Sequence, residues 1–225
     1  MTLDQEIKSC RICHASSPLF FRDKRSFYKC PECSLIFTFD LPGKEAEETH
    51  YKNQWATTDT NFWKKQVDVL LQLIDNYRTP KRILDFGSGS GEMTNEFLKR
   101  GYDVTPLEPM THGYLKDQNY SAKFDVVIAV EVIEHLPKPW EELHEIENVL
   151  APGGIVIFSS LLTNSFIDRP DKREQFENWW YKDDPTHVSF FCNRVLQKMA
   201  DMKNYDIDIF DDKAFVLKRG REQGF

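Results

Sequence analysis

The chain has 225 residues, enough for one good-sized domain and a small additional module. A hydrophobic content of 40% with 29% charged residues supports a packed core and argues against global disorder. The net charge of −7 argues against broad, non-specific nucleic-acid binding, because phosphates require a cationic surface. No apolar run approaches the roughly 20 residues that span a bilayer, and the first ten residues lack the apolar core of a signal peptide. We therefore expect a cytoplasmic protein without a membrane partner.

Four of the five cysteines form two CxxC pairs near the N-terminus, separated by residues 14–29. They are Cys10, Cys13, Cys30 and Cys33. Each pair places two thiolates on one tight turn, and two such turns supply the four-sulfur set that structural Zn²⁺ prefers. A module of about 40 residues cannot build a sufficient core alone, so we predict a zinc ribbon over residues 1–42. Two alternatives, a redox-active CxxC and free structural cysteines, are disfavoured by the presence of two pairs.

Residues 19–21 and 26–29 of the predicted ribbon have the pattern of a hairpin. Its four basic side chains are Arg22, Lys24, Arg25 and Lys29. They suit contact with RNA or an acidic partner, but we prefer the interpretation that they form an ordinary solvated face. His14 follows a CxxC pair that needs no further ligand, and the lone Cys192 is interpreted as a small buried hydrophobe.

Residues 43–80 are predicted to form a linker and an amphipathic helix. Phe62, Val67, Leu70 and Ile74 recur at helical spacing, which predicts a helix over residues 61–77. The approach to this helix is rich in aromatic residues. The segment serves either as a lid over a ligand or as packing between the ribbon and the rest of the chain, and the pattern does not separate the two.

From residue 81 to residue 225, apolar strands alternate with helical patterns. Strands are predicted at 82–86, 103–107, 125–130 and 155–159, and helices at 92–98, 140–150 and 193–202. Residues 205–210 and 214–218 are close enough in the chain to form an antiparallel pair. Buried strands alternating with helices predict an α/β fold with a mostly parallel sheet. Ligands in such sheets bind at the carboxyl ends of the strands.

Residues 83–91 read ILDFGSGSG, an apolar strand followed by a glycine turn and a helical pattern. This order is typical of the nucleotide-binding edge of a doubly wound sheet. The spacing is GxGxG rather than the GxGxxG of dinucleotide enzymes. Glu108 ends the next strand, where an acid accepts hydrogen bonds from ribose hydroxyls. Together these features predict a site for an adenosine that lacks a pyrophosphate.

The motifs LDFGSGSG, FDVVIAVEVIEHL and LAPGGIVIFSS, with Glu108 between the first two, resemble the successive motifs of class I S-adenosylmethionine-dependent methyltransferases. The resemblance extends over about residues 51–218 and implies a Rossmann-like sheet of seven strands. It implies a methionine-binding set of Asp85, Gly87, Ser88, Gly89 and Gly91, with Glu108 on the ribose and the backbone near Glu131 beside the cofactor. The N-terminal ribbon is similar to modules of sugar C-methyltransferases and of some ribosomal RNA methyltransferases.

One segment departs from the family pattern. Only residues 109–124 separate Glu108 from the next strand, where the family places a helix and a further strand. Pro109, Gly113 and a polar run argue against both elements at full length. Asp117 is the candidate that remains for contact with adenine.

The candidate catalytic residues are Glu134, His135 and His187. With Glu131, they resemble the metal-binding set of small-RNA 2′-O-methyltransferases and of some quinone-pathway O-methyltransferases. That resemblance implies a second divalent metal, Mg²⁺, Mn²⁺ or Zn²⁺, which lowers the pKa of an acceptor hydroxyl. We prefer the alternative without a metal, in which the first acid caps a helix near the cofactor and His187 acts alone as general base. A third interpretation has His187 simply bond a loop carbonyl.

We expect a methyltransferase that acts on a small molecule by O- or C-methylation. A sugar or phenolic hydroxyl is favoured, because the chain is acidic and the aromatic segment 179–187 is able to close a pocket. One alternative is an RNA methyltransferase that uses the ribbon hairpin for RNA contact. Another is a non-catalytic module that keeps the fold and the cofactor.

Overall fold

The computed structural model describes residues 6–56 and 59–219. Within these ranges the strands are β1 (Ile7–Ser9), β2 (Ser16–Arg22), β3 (Ser26–Lys29), β4 (Ile36–Thr38), β5 (Ile83–Phe86), β6 (Val104–Leu107), β7 (Phe124–Val130), β8 (Leu150–Ser159), β9 (Ser189–Phe190), β10 (Tyr205–Phe210) and β11 (Ala214–Arg219). The helices are α1 (Lys44–Trp55), α2 (Thr60–Asp75), α3 (Glu92–Lys99), α4 (Pro109–His112), α5 (Pro139–Val149), α6 (Lys172–Glu177) and α7 (Asn193–Lys203). None of these helices is both long enough and apolar enough to cross a membrane.

The larger sheet has the strand order β10-β11-β8-β7-β5-β6. Strands β6, β5, β7 and β8 are parallel, and β11 and β10 add antiparallel strands at one edge. The predicted α/β fold is confirmed, but the described residues form six strands in this sheet rather than seven. The segment after β6 holds only the four-residue α4 and a 3₁₀ turn at Leu115–Asp117, because it is too short for a helix and another strand.

The sheet has a hydrophobic core on each face. On β5, Ile83 joins a cluster with Val67 and Phe97 from α2 and α3, whereas the next residue, Leu84, joins a second cluster. This second cluster contains the apolar sides of α5 and α7. Successive side chains of a strand point to opposite faces, so the continuous apolar run predicted for the buried strands is explained by burial on both sides.

The smaller sheet has five antiparallel strands in the order β1-β2-β3-β4-β9. Its first four strands come from the N-terminal module, and β9 comes from the chain just after residue 187. Ile36 pairs with Phe190, and Phe37 pairs with Ser189. The N-terminal module is therefore hydrogen-bonded to a segment of the α/β part. The division into residues 1–42, 43–80 and 81–225 stays a prediction.

An aromatic cluster against the small sheet is centred on Phe176 of α6, which is fully buried. Its ring centroid lies 5.1 Å from that of Phe27 and 5.4 Å from that of Phe190, both edge-on. Phe20 and Phe21 of β2 also contact it in edge-on geometry. Aromatic pairs of this geometry add to the stabilisation from buried area. The cluster therefore joins the N-terminal module to the rest of the chain.

We expect Phe176→Ala to destabilise the protein by about 3–5 kcal/mol, because it leaves a cavity among aromatic rings. The matched control is Phe62→Ala, whose side chain is 48% exposed, and we expect it to cost about 1 kcal/mol. Urea unfolding followed by tryptophan fluorescence measures both. Equal losses for the two variants would contradict a central role for Phe176.

Candidate active site

The glycine turn lies between the carboxyl end of β5 and the N-terminus of α3. Gly87 and Gly89 have φ angles of 78° and 53°, a region that glycine adopts without strain. A Cβ at Gly87 would lie 2.5 Å from Val132 Cγ2, and one at Gly89 would lie 3.0 Å from the indole nitrogen of Trp55. The turn therefore needs glycine both for its conformation and for the close approach of its neighbours.

Two buried polar side-chain atoms at this turn lack partners among the described residues. Asp85 is completely buried at the end of β5, and its Oδ2 accepts a hydrogen bond from Thr94 Oγ1 at 2.5 Å. Its Oδ1 and the Oγ of Ser88 are buried without a partner. Burial raises the pKa of Asp85 to about 7. Buried polar atoms are normally paired, so this turn has the donor and acceptor capacity that an amino-acid moiety would satisfy.

Glu108 lies beside the glycine turn, where β6 ends. Its Oε2 accepts a hydrogen bond from the Gly89 amide at 3.1 Å, and its Oε1 accepts from the Met110 amide at 3.2 Å. The carboxylate thus caps the N-terminus of α4 and also faces the glycine turn. Asp117, the candidate for adenine contact, is exposed at the end of the 3₁₀ turn that follows.

Helix α1 covers the site, although the sequence pattern did not predict it as a helix. Trp55 lies against Gly89, and the ring of Tyr51 stacks on Trp55 with a centroid distance of 6.1 Å. The Tyr51 hydroxyl lies 3.2 Å from Nδ1 of His135. His50 Nε2 lies 3.0 Å from the carboxylate of Asp184. No residue of α1 is fully buried, so it has no apolar stripe that periodicity detects.

Helix α2, predicted over residues 61–77, forms at Thr60–Asp75. Asp59 caps its N-terminus by accepting a hydrogen bond from the Asn61 amide at 2.9 Å. Its apolar face packs on α3 and on the sheet, with Val67 and Ile74 fully buried. The aromatic contacts with the site come from α1 instead.

Glu131 and Glu134 converge on the hydroxyl of Tyr181. Tyr181 Oη lies 2.8 Å from Glu131 Oε2 and makes a second, short contact with Glu134 Oε1. Tyr181 can donate its single hydroxyl proton to only one of the two carboxylates. If both glutamates were charged, the second carboxylate would receive no hydrogen bond from Tyr181. Burial, and next the charge of Glu131, raise the pKa of Glu134 well above its usual range. The surroundings therefore favour the neutral form of Glu134, and its Oε2 is buried without a partner among the described residues.

His135 and His187 come from different segments and lie in contact. Their ring centroids are 4.6 Å apart with an interplanar angle of 68°. Burial, and next the neighbouring His187, lower the pKa of His135 to about 3. Burial also lowers the pKa of His187. Both imidazoles are thus neutral at pH 7.

Backbone carbonyls fix the orientation of each ring. His187 Nδ1 lies 2.7 Å from the carbonyl oxygen of Tyr181, and His135 Nδ1 lies 3.2 Å from that of Thr186. Ligand atoms of Glu134, His135 and His187 lie within 4.8 Å of one another. Within the described ranges Glu131 is outside this group, because Tyr181 and Ser159 hold its carboxylate.

The four cysteines of the CxxC pairs converge, with their sulfur atoms within 4.8 Å of one another. Sγ of Cys10 lies 3.6 Å from that of Cys33, and Sγ of Cys13 lies 3.4 Å from that of Cys30, so no disulfide links them. Four sulfurs at 2.3 Å from a tetrahedral Zn²⁺ would be about 3.8 Å apart. The donor set therefore fits zinc in chemistry and in size.

Each CxxC pair has the same backbone geometry. The residue after each pair, His14 or Ser34, has a positive φ angle, and its amide donates to the carbonyl of the first cysteine. The amides of Cys10 and Cys30 bond the carbonyls five residues later, of Ala15 and Leu35. His14 is therefore a turn residue outside the four-sulfur group.

Most of the basic hairpin side chains have partners. Arg22 pairs with Glu6, and Lys29 Nζ lies 3.5 Å from Ser34 Oγ. Arg25 points to the segment before β9, and Lys24 is exposed. Sequence reasoning missed the roles of Tyr51, Arg25 and Tyr181. The sequence places Tyr51 and Tyr181 in aromatic-rich segments and Arg25 among the basic residues of the hairpin, but it gives no sign of the contacts that these side chains make.

A family model described as a methyltransferase domain matches residues 55–208. The ubiquinone biosynthesis O-methyltransferase of Aliivibrio fischeri (strain MJ11) is 29% identical over an alignment of 145 residues. The alignment covers 54% of this chain and 62% of that protein. The enzyme of the same name from Photorhabdus laumondii is 28% identical over 108 residues, covering 37% and 44% of the two chains. The chain spans about half the length of the curated relatives it matches.

Two solved structures have a similar fold. The plantazolicin methyltransferase BpumL, in complex with S-adenosylhomocysteine and a substrate analogue, covers 80% of this chain and 92% of its own, with a TM-score of 0.54 and 16% identity. The 1,6-didemethyltoxoflavin-N1-methyltransferase of Burkholderia thailandensis covers 89% and 98%, with a TM-score of 0.54 and 13% identity. The match over residues 55–208 agrees with the strand order of the sheet and with the glycine turn at its carboxyl edge. This chain belongs to the methyltransferase-domain family.

Proposed function

We propose that the protein transfers a methyl group from S-adenosylmethionine to a hydroxyl oxygen of a small phenolic molecule. The observation that carries this proposal is the position of Val132, whose side chain lies against Gly87 of the glycine turn. Val132 belongs to the same short segment as Glu131, Glu134 and His135. The candidate cofactor site and the candidate catalytic groups are therefore neighbours.

The unpartnered atoms of Asp85 and Ser88 and the carboxylate of Glu108 fit the polar groups of S-adenosylmethionine. Asp85, Gly87, Ser88, Gly89 and Gly91 would hold its methionine moiety, and Glu108 its ribose, with the Glu131 backbone alongside. When bound, the cofactor supplies an electrophilic methyl group on a sulfonium. The protein then contributes position and electrostatics.

His187 is suited to accept the proton of the acceptor hydroxyl. With Nδ1 donating to the carbonyl of Tyr181, its Nε2 keeps a lone pair. The lowered pKa keeps the ring neutral at pH 7, so the lone pair is available. Glu134 and His135 complete the wall of the site, and Tyr51 of α1 covers His135 and excludes water from that side.

The second candidate is a divalent metal held by Glu134, His135 and His187. It is favoured by the convergence of their ligand atoms and by the unpartnered Oε2 of Glu134. Glu131, the fourth member of the predicted set, would reach the metal only after leaving Tyr181. Stoichiometric metal that disappears in Glu134→Gln would favour this candidate over His187 acting alone.

The acceptor class rests on the relatives, whose names describe O-methylation in ubiquinone biosynthesis. RNA remains the alternative acceptor. The contacts of Arg22 and Arg25 within the chain disfavour it, because they reduce the basic surface available to phosphates. A non-catalytic cofactor-binding module is the third possibility, which turnover of S-adenosylmethionine would exclude. A cytoplasmic location stays a prediction.

We further propose that Cys10, Cys13, Cys30 and Cys33 hold a structural Zn²⁺. A site with four thiolates has no open position for chemistry. The small sheet has only short strands, so the metal supplies stability that its own core does not.

Glu108→Gln should weaken binding of S-adenosylhomocysteine by about tenfold or more, because it removes the charged acceptor for the ribose hydroxyls. Isothermal titration calorimetry measures the dissociation constant. The control is Glu141→Gln, an exposed carboxylate on α5, which should leave the affinity unchanged. Wild-type affinity in Glu108→Gln would argue against the cofactor site described.

The pH profile of methyl transfer tests His187. Because the neutral imidazole is the active form and burial lowers its pKa below 6.5, activity should persist below pH 6.5. It should fall only when the pH drops through the lowered pKa. Turnover with 3,4-dihydroxybenzoate, followed between pH 5 and 8, measures this, and His187→Gln should lose about 10²-fold in kcat. Unchanged kcat in that variant would remove His187 as the base.

Metal analysis should find about one zinc per chain in freshly purified protein. Cys33→Ser should lose this zinc and lower the melting temperature, because a thiolate ligand is replaced by a weaker one. Cys192→Ser is the control, since Cys192 lies outside the four-sulfur group. Zinc-free wild-type protein, or equal zinc loss in the control, would overturn the assignment.

A further inference from the structure

Arg25, in the β2–β3 hairpin, donates to three backbone carbonyls of the segment that carries His187. Its Nη1 lies 3.2 Å from the carbonyl oxygen of Pro185 and 2.8 Å from that of His187 itself. Its Nη2 makes a further short contact with the carbonyl of Lys182. The planar guanidinium has five donors in a fixed fork, so it fixes several acceptors at once.

The same hairpin holds this segment through a second contact. Lys182, whose side chain is 5% exposed, donates to Asp23 at 3.1 Å. Asp23 in turn shapes the hairpin, because its Oδ1 accepts from the Arg25 amide at 2.9 Å. The turn between β2 and β3 and residues 182–187 therefore interlock through charge-assisted hydrogen bonds.

The segment from 181 to 188 has little regular structure of its own. It begins in the 3₁₀ turn Trp180–Asp183 and ends at β9. Two hydrogen bonds hold its C-terminal end. The Val188 amide donates to the Glu134 carbonyl at 2.8 Å, and Nη1 of Arg11 donates to the Val188 carbonyl at 3.0 Å. Between these ends, Arg25 reaches the carbonyl of His187 from outside the α/β part.

We propose that Arg25 is a positioning residue for His187, holding the backbone of residues 181–188 so that the imidazole faces the methyl acceptor. This inference rests on the proposed function, which gives His187 its role in proton transfer. The N-terminal module is then part of the active-site structure, because it supplies the donor group that holds the catalytic segment. An error of about 1 Å in the position of such a group costs up to about 10²-fold in rate.

The test compares Arg25→Met, Arg25→Lys and Lys24→Met. The guanidinium carbon Cζ of Arg25 lies 4.9 Å from the centroid of the Phe27 ring. Methionine keeps an apolar side chain of similar length beside this ring but has no donors. Lysine restores the charge and some of the donors. Lys24 is the neighbouring exposed cation, so its variant controls for loss of one positive charge.

Hydrogen–deuterium exchange, read by mass spectrometry, should show faster exchange in residues 181–188 of Arg25→Met, with residues 83–91 unchanged. The kcat with 3,4-dihydroxybenzoate should fall by about tenfold to a hundredfold. The dissociation constant for S-adenosylhomocysteine should stay within twofold, because Glu108 and the glycine turn are untouched. Arg25→Lys should recover part of both effects, and Lys24→Met should match wild type.

Wild-type exchange of residues 181–188 in a folded Arg25→Met would overturn the proposal, as would a loss of S-adenosylhomocysteine affinity equal to the loss of kcat. If Arg25→Met unfolds, Arg25→Lys supplies the same comparison. Failure of the wild-type protein to bind S-adenosylhomocysteine would instead refute the proposed function, and the exchange experiment would still decide whether Arg25 holds the segment.

Discussion

The strands β6, β5, β7 and β8 run parallel and end at one edge of the sheet, with Asp85 of β5 opposite Pro106 of β6 and Ile128 of β7. Every candidate site group near the cofactor depends on this pairing. Glu108, the glycine turn and Glu131 each follow the carboxyl end of one of these strands. Since parallel strands place their carboxyl ends side by side, residues far apart in sequence become neighbours there.

A second constraint acts from the N-terminal module. Residues 181–190 pass from the α/β part to the small sheet, where β9 pairs with β4. The irregular backbone in this segment has carbonyls that no helix or sheet satisfies, and arginine side chains of the module donate to several of them. The position of His187 thus depends on both sheets, because its segment is anchored to both.

The electrostatics of the site follow from burial. Burial raises the pKa of Glu134 and lowers the pKa of His135 and of His187, because a low-dielectric surrounding disfavours each charged form. The result is a site in which the Tyr181 hydroxyl contacts two acids whose neutral forms are favoured. In the same site, His187 keeps a lone pair on Nε2 near pH 7. Such paired shifts are typical of catalytic sites but also occur in structural networks.

The two CxxC pairs and the glycine turn were predictable because each is a local pattern, in which a few adjacent residues determine the backbone. Helix α2 was predictable for the same reason, since its apolar stripe is visible in the sequence. Helix α1 was not, because it has no buried residue and therefore no apolar stripe, and because Tyr51 and Trp55 contact groups that are distant in the sequence. The resemblance to the family implied seven strands, whereas the described residues form six; residues 109–124, which depart from the family pattern in the sequence, are too short for the seventh.

By itself, the sequence determined the fold class and the family, and it predicted a cofactor-binding glycine turn and a four-cysteine metal site from local spacing. Only the tertiary structure decided that the predicted set closes on Glu134, His135 and His187 without Glu131, that Tyr181 joins Glu131 to Glu134, and that Arg25 faces inward to the His187 segment. The physical reason is distance along the chain. Local spacing controls turns, helices and paired cysteines, whereas contacts between residues 25, 134 and 187 arise only when both sheets have formed and packed together.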